Sequence, residues 1–139
     1  MIEVSKLIIN IILAIFLAGS IGYERQVRRG IYSVGIRTHI LLCFVVMILT
    51  SVSIDGFPLD SARIIAGVIS AVGFIAAGTI IGHREEVLGL TTGIGLLVVS
   101  GIGILIAMGY YIVAVIVTIS SWMILELWRF EVKVGLKKK

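Results

Sequence analysis

Charge is scarce in this chain, and the groupings that catalysis needs are missing. Charged residues make up 14% of the 139 and hydrophobic residues 59%. A soluble domain carries about a quarter charged residues, so this surface is built for lipid. The lone cysteine, Cys43, excludes an intrachain disulfide and, inside an apolar run, reads as an inert packing residue. No nucleophile is flanked by a histidine, and His39 and His83 have no Cys or carboxylate at metal-ligand spacing. No enzymatic activity and no cofactor are expected. Gly30, Gly35, Arg37 and Thr38 have some of the residues of a phosphate-binding loop, but the lysine and the surrounding strand and helix are missing. The basic residues gather at the ends of apolar runs without interleaved aromatics, so the net charge of +4 does not point to nucleic acid.

What is present is a series of long uncharged runs, from Leu7 to Tyr23, Thr38 to Ile54, Ile64 to Gly82 and Val87 to Leu125. The last would reach roughly 58 Å as one helix, against a hydrocarbon core of about 30 Å, so it must fold back. Gly109, Tyr110 and Tyr111 mark the turn, because glycine relaxes the backbone and tyrosine prefers the headgroup level. The expected fold is therefore all-α, a compact bundle of five transmembrane helices. Its spans run over about 5–23, 38–54, 63–82, 88–108 and 110–128, in a single domain of residues 1–128 followed by a short basic tail, 129–139. Asp60 or Ser61 is expected to cap the third helix.

An odd number of spans puts the termini on opposite sides. Of twelve lysines and arginines only Lys6 and Arg63 fall on one face, which leaves ten on the other. Cytoplasmic loops retain Lys and Arg, so the N-terminus is predicted outside and the C-terminus in the cytoplasm. The loop with Arg25, Arg28, Arg29 and Arg37, then Arg84, Arg129, Lys133 and Lys137 to Lys139, all lie inside on this reading. Trp122 and Trp128 fit an aromatic belt. Ala18-Gly19-Ser20 has the look of a signal-peptide cleavage site, but cleavage would leave the arginine cluster outside, against the charge rule.

Small residues recur at helical spacing. Ala14, Ala18 and Gly22 form one stripe, Ala66, Gly67, Ser70, Gly73, Gly78 and Gly82 populate the third helix, and Gly89 with Gly93 opens the fourth. Such faces let helix backbones approach where lipid supplies no drive to associate. They predict packing within the bundle, and a homodimer seam as the other use.

Charges near membrane depth are costly and usually pair or line a wet cavity. Glu24, Arg25 and Arg37 sit at the edges of the first two runs, with Thr38 and His39 beside them, and His39 is the better placed of the two histidines for a pH-sensitive group. Outside, Asp60 faces Arg63 across one turn, and Asp55 with Asp60 is the weak candidate for a hydrated divalent cation. Capping and solvation are the plainer roles for these aspartates, and no metal site is assigned.

Taken in order, Gly22-Tyr23-Glu24-Arg25-Gln26, Gly35-Ile36-Arg37-Thr38-His39, Asp60-Ser61-Ala62-Arg63, Gly73-Phe74-Ile75-Ala76-Ala77-Gly78 and Gly89-Leu90-Thr91-Thr92 resemble the MgtC/SapB family of bacterial inner-membrane proteins. The resemblance covers nearly the whole chain. It implies five spans with an external N-terminus, and it singles out Glu24, Arg25, Arg37, Arg63, Thr91 and Thr92 as the family's patterned positions. It departs at Gly93 and Ile94, where small residues are usual, and in lacking a tryptophan of the fourth helix. Longer members also carry a soluble C-terminal domain, and activities that depend on it, including a virulence role, are not expected here.

The function so implied is a non-enzymatic regulator of other membrane proteins, such as ATP synthase or a transporter, in adaptation to low magnesium or acid stress. Mg²⁺ would then be signal or substrate. The competing expectation is a magnesium, cation or proton transporter, against which stands the lack of any acidic residue in the middle of a span.

Overall fold

A computed structural model describes residues 4–29, 34–83 and 86–133, with the side chains of 28–29, 81, 83, 86–87 and 128–133 outside that description. Arg84, Gly30 and the tail lysines Lys137 to Lys139 lie outside the described residues, as do the side chains of Arg28, Arg29, His83, Trp128 and Arg129.

The apolar runs form five helices: α1 (Val4–Arg29), α2 (Ile36–Gly56), α3 (Ser61–Ala77), α4 (Leu90–Ala107) and α5 (Tyr111–Lys133). Three of them hold stretches long and apolar enough to cross a membrane, Val4–Val27, Ile36–Gly56 and Leu90–Ala107, while Ser61–Ala77 and Tyr111–Leu127 are shorter apolar helices. Hydroxyls inside these segments bond to their own helix, as in Ser51 to Met47, Ser70 to Ala66, Ser100 to Leu96 and Thr118 to Ala114. Such back-bonding satisfies a polar group where lipid or core offers no partner.

The fold is all-helical apart from a short ladder between α3 and α4. There β1 (Ile81–His83) pairs antiparallel with β2 (Glu86–Leu88), Gly82 opposite Val87. The third apolar run was expected to stay helical to about residue 82, but α3 stops at Ala77. Thr79 ends it, its hydroxyl donating to the Ala76 carbonyl at 2.7 Å while the amides of Thr79 and Ile80 close turns onto Ala76 and Ala77.

The predicted cap of α3 is also corrected. Asp60 occupies the N-cap position, but neither it nor Ser61 caps through its side chain. The Asp60 carboxylate is taken by Arg63 at 2.9 Å, and the Ser61 hydroxyl donates to the Pro58 carbonyl at 3.3 Å.

The long run after the ladder divides at Gly109, which adopts φ 79°. Its amide donates to Ile106 and that of Tyr110 to Leu105, the paired bonds of a glycine-terminated helix end.

α4 is the central helix. Leu96, Val99, Ile102 and Ile106 are buried on it, the last three clustered with Ala14, Ala18 and Ile21 of α1, Cys43 and Met47 of α2, and Ala114 of α5. A Cβ at Gly103 would stand 2.6 Å from the Cys43 carbonyl oxygen, one at Gly93 2.9 Å from that of Ala76, and one at Gly22 2.9 Å from the Ile36 Cα. These three glycines, with buried Ala18, bring α4 onto α2 and α3, and α1 onto α2. The stripe of α3 behaves differently. Among the described residues nothing lies within 4 Å of a Cβ at Gly67, Gly73 or Gly82, the last now in β1, Gly78 meets only carbonyls of α3, and Ser70 is exposed. α3 buries only Val72 and Ala76; Ala76 meets Gly93 of α4, and Gly67 borders a groove against Leu42, Val45 and Leu49 of α2.

Candidate functional site

The antiparallel path brings the end of α1, the start of α2 and the start of α4 to one end of the bundle. Gly22 makes this junction tight, because a Cβ there would also stand 3.0 Å from the His39 Cβ. The next turn of α1 buries Glu24 and Arg25, at 5% and 4% exposure, while Tyr23 turns outward. Arg25 donates from Nη2 to Oγ1 of Thr92 at 3.0 Å, a buried bond between the first and fourth helices.

His39, fully buried, completes the group from α2. Its Nδ1 lies 3.0 Å from the Gly35 carbonyl, which can only accept, so Nδ1 carries the proton. The other nitrogen, Nε2, is buried with no hydrogen-bond partner among the described residues and faces α4, where a Cβ at Gly95 would come within 3.7 Å. Thr92 and Gly95 are one turn apart on α4, so the same face receives Arg25 and His39.

The lead-in to α2 is fixed from α1 as well. Gln26 accepts the Ile36 amide through Oε1 at 3.0 Å, and a Cβ on Gly35 would approach that oxygen to 3.0 Å. A side chain of one helix thus supplies the missing acceptor at the start of the next. At the start of α4, Gly89 holds φ +83°, and any Cβ there would fall 1.8 Å from the Thr79 carbonyl oxygen.

Of the eight polar residues expected to act together, Glu24, Arg25, His39 and Thr92 are buried at this junction. Arg37, Thr38 and Thr91 are exposed on the first turns of α2 and α4. Arg63 belongs to the opposite end. It follows α2, whose length from His39 to Gly56 is about 25 Å, and it pairs with Asp60. Asp55 opens onto a separate cavity that Asp60 does not line. Among the described residues no three of His, Cys, Asp and Glu gather as metal ligands.

Gln26, Gly35, Gly95 and Gly103 were not foreseen in these roles. The signal for Gly95 and Gly103 is their spacing of eight residues along α4, which puts both on a face other than that of Gly93, toward α2.

The sequence matches the MgtC family over residues 11–133. It is 35% identical over 133 residues to YhiD of Escherichia coli strain K12, a protein named as a candidate magnesium transporter, covering 89% of this chain and 61% of that one. It is 34% identical over 112 residues to MgtC of Salmonella typhimurium strain LT2, covering 81% of this chain and 48% of the relative. The chain thus spans about half to three-fifths of the length of these relatives. No solved structure matches it. With a family match that takes in the Arg25, His39 and Thr92 junction and all five helices, this membrane protein belongs to the MgtC family.

Proposed function

We propose that the chain is a non-enzymatic regulator of another membrane protein, such as ATP synthase or a transporter, acting in adaptation to low magnesium or acid stress. On this reading it crosses the bacterial inner membrane five times, as one domain over 1–128 with the tail 129–139, N-terminus outside and C-terminus in the cytoplasm. The ten-to-two charge count supports that orientation. The observation that carries the function is the buried Arg25 to Thr92 bond with His39 beside it. A charge held there ties α1 and α4 together, so an ion or proton that alters it changes how those helices meet, which a partner can read.

The test is capture from native membranes at low and high Mg²⁺. A partner retained in a Mg²⁺-dependent way, and lost with Arg25→Ala, is the expected result. A protein that copurifies with nothing while still supporting growth at low Mg²⁺ would overturn the reading.

A second reading, a magnesium, cation or proton transporter, draws on the name given to YhiD and on the polar cavity at the end of the bundle opposite Arg25. Purified protein in liposomes decides between the two. Mg²⁺ or proton flux abolished by Arg25→Ala establishes transport, and no flux from folded protein favours the regulator. The exposed Gly67 and Ser70 of α3, with the half-buried Gly73, suit a homodimer, which crosslinking in a mild detergent would detect.

A further inference from the structure

At the end of the bundle away from Arg25, a short tip from Phe57 to Asp60 joins α2 to α3. Backbone bonds fix its shape. The amide of Phe57 donates to the Ser53 carbonyl, that of Asp60 to the Phe57 carbonyl and that of Arg63 to the Asp60 carbonyl, each at 3.0 Å. The Ser61 hydroxyl holds the Pro58 carbonyl. Yet the tip carries large apolar side chains that the bundle does not cover, with Leu59 100% and Phe57 56% exposed. The charges that follow, Asp60 and Arg63, are paired with each other.

Helix lengths set the level of this tip. α2 has 21 residues and reaches about 31 Å, which matches a hydrocarbon core of about 30 Å and leaves Phe57 just beyond its edge. α3, with 17 residues and about 25 Å, falls short of the same core, and its uncharged part from Ile64 to Ala77 reaches only about 21 Å. The first turn of α3 is therefore drawn in toward the lipid, and pairing Asp60 with Arg63 lowers the cost of that depth. A tyrosine marks the level independently. Asp55, two residues before Phe57, shares a cavity with Tyr111 at the turn from α4 to α5, and tyrosine prefers the headgroup level. Tyr111 is held there by donating to Oδ1 of Asn10, a buried residue of α1, at 3.0 Å.

We propose that Phe57, Pro58 and Leu59 form an interfacial anchor, seated in the boundary between headgroups and acyl chains of the leaflet opposite the Arg25 junction. The partner of this surface is the lipid itself. Continuity favours lipid over a docked protein, because Leu49 and Val52 of α2 and Ile69 and Phe74 of α3 are exposed along the helices that lead up to the tip, so the apolar surface runs into it from both sides. The anchor fixes the depth of the α2 and α3 hairpin, and with it the height at which Ala76 of α3 meets Gly93 of α4. The inference rests on the membrane-spanning reading of the helices and not on the choice between regulator and transporter.

The experiment is spin-label depth measurement on the full chain in liposomes of phosphatidylethanolamine and phosphatidylglycerol, using oxygen and a water-soluble nickel complex as relaxing agents. Single cysteines are placed by Leu59→Cys, Phe57→Cys and Ile69→Cys in a Cys43→Ala background that stays monodisperse. Labels at 57 and 59 should both lie about 5–10 Å into the headgroup boundary, and the label at 69 deeper still. Adding Leu59→Asp should shift the label at 57 outward into water. Labels at 57 and 59 that meet the nickel complex freely, while 69 stays in lipid, would overturn the anchor and leave the spanning reading standing. A water-exposed label at 69 would overturn the spanning reading and the anchor with it. Labels at the tip that are wet in liposomes but shielded in native membranes would also overturn the proposal, in favour of a protein partner.

Discussion

Arg25 and Thr92 are 67 residues apart in sequence and 3.0 Å apart in space, both buried. The guanidinium of α1 therefore depends on a hydroxyl of α4, and the two helices are joined by a polar bond inside an apolar bundle. That dependence can be measured.

Thr92→Val keeps the shape of the side chain and removes the acceptor. Leaving a buried charged donor short of a partner costs about 1–3 kcal/mol, and Thr92→Ser, which keeps the oxygen, should recover most of it. Thermal unfolding of the three proteins in one detergent checks this, and equal midpoints would mean the bond contributes nothing.

The glycines of α4 should separate by position. Gly103→Ala forces a methyl to 2.6 Å from the Cys43 carbonyl oxygen, which has no free end to move, and should destabilise by about 1–3 kcal/mol. Gly95→Ala meets only ordinary contact at His39 Nε2, and Gly67→Ala and Gly73→Ala meet nothing. Those three should be neutral or stabilising by up to about 1 kcal/mol, because alanine is the better helix former. The ranking of melting midpoints is the readout.

Gly89→Ala should be the most damaging glycine change. It combines a positive φ with a Cβ at 1.8 Å from the Thr79 oxygen, so the turn into α4 must open. The expected outcome is a loss of folded, monodisperse protein, measured by size-exclusion chromatography after extraction.

Gln26→Ala removes the acceptor for the first amide of α2, at an expected cost of about 0.5–2 kcal/mol, in the range of ordinary helix caps. Gln26→Glu retains an acceptor and should restore stability, again read from the unfolding midpoint.

The helices were legible because apolar runs between charges report burial in lipid directly, and Gly109 with its tyrosines sits where one such run is too long. Glu24, Arg25 and His39 stood out for a related reason, being polar groups at the edge of or inside a segment that should have none. Partnership was not legible in the same way. The spacing of Gly67, Ser70 and Gly73 shows that they share a helical face, but only the packing of α3 shows that Ser70 is exposed and that Gly67 borders a groove against α2. Arg63 shares residue type and family pattern with Arg25, and chain direction places it at the other end. Gln26 had no signal at all, since an exposed glutamine near a helix end is common and its bond to Ile36 exists only once α2 has turned back.

The Asn10 to Tyr111 bond joins the first helix to the last across 101 residues. A chain made from its N-terminus places α1 in the bilayer long before Tyr111 has been synthesised, and domains generally fold in that order. Until then the Asn10 amide stands in an apolar helix without its phenol. The seam between α1 and α5 is therefore the last to close during biogenesis, and a nascent chain halted before α5 holds an exposed polar group that quality-control proteases and insertases can recognise.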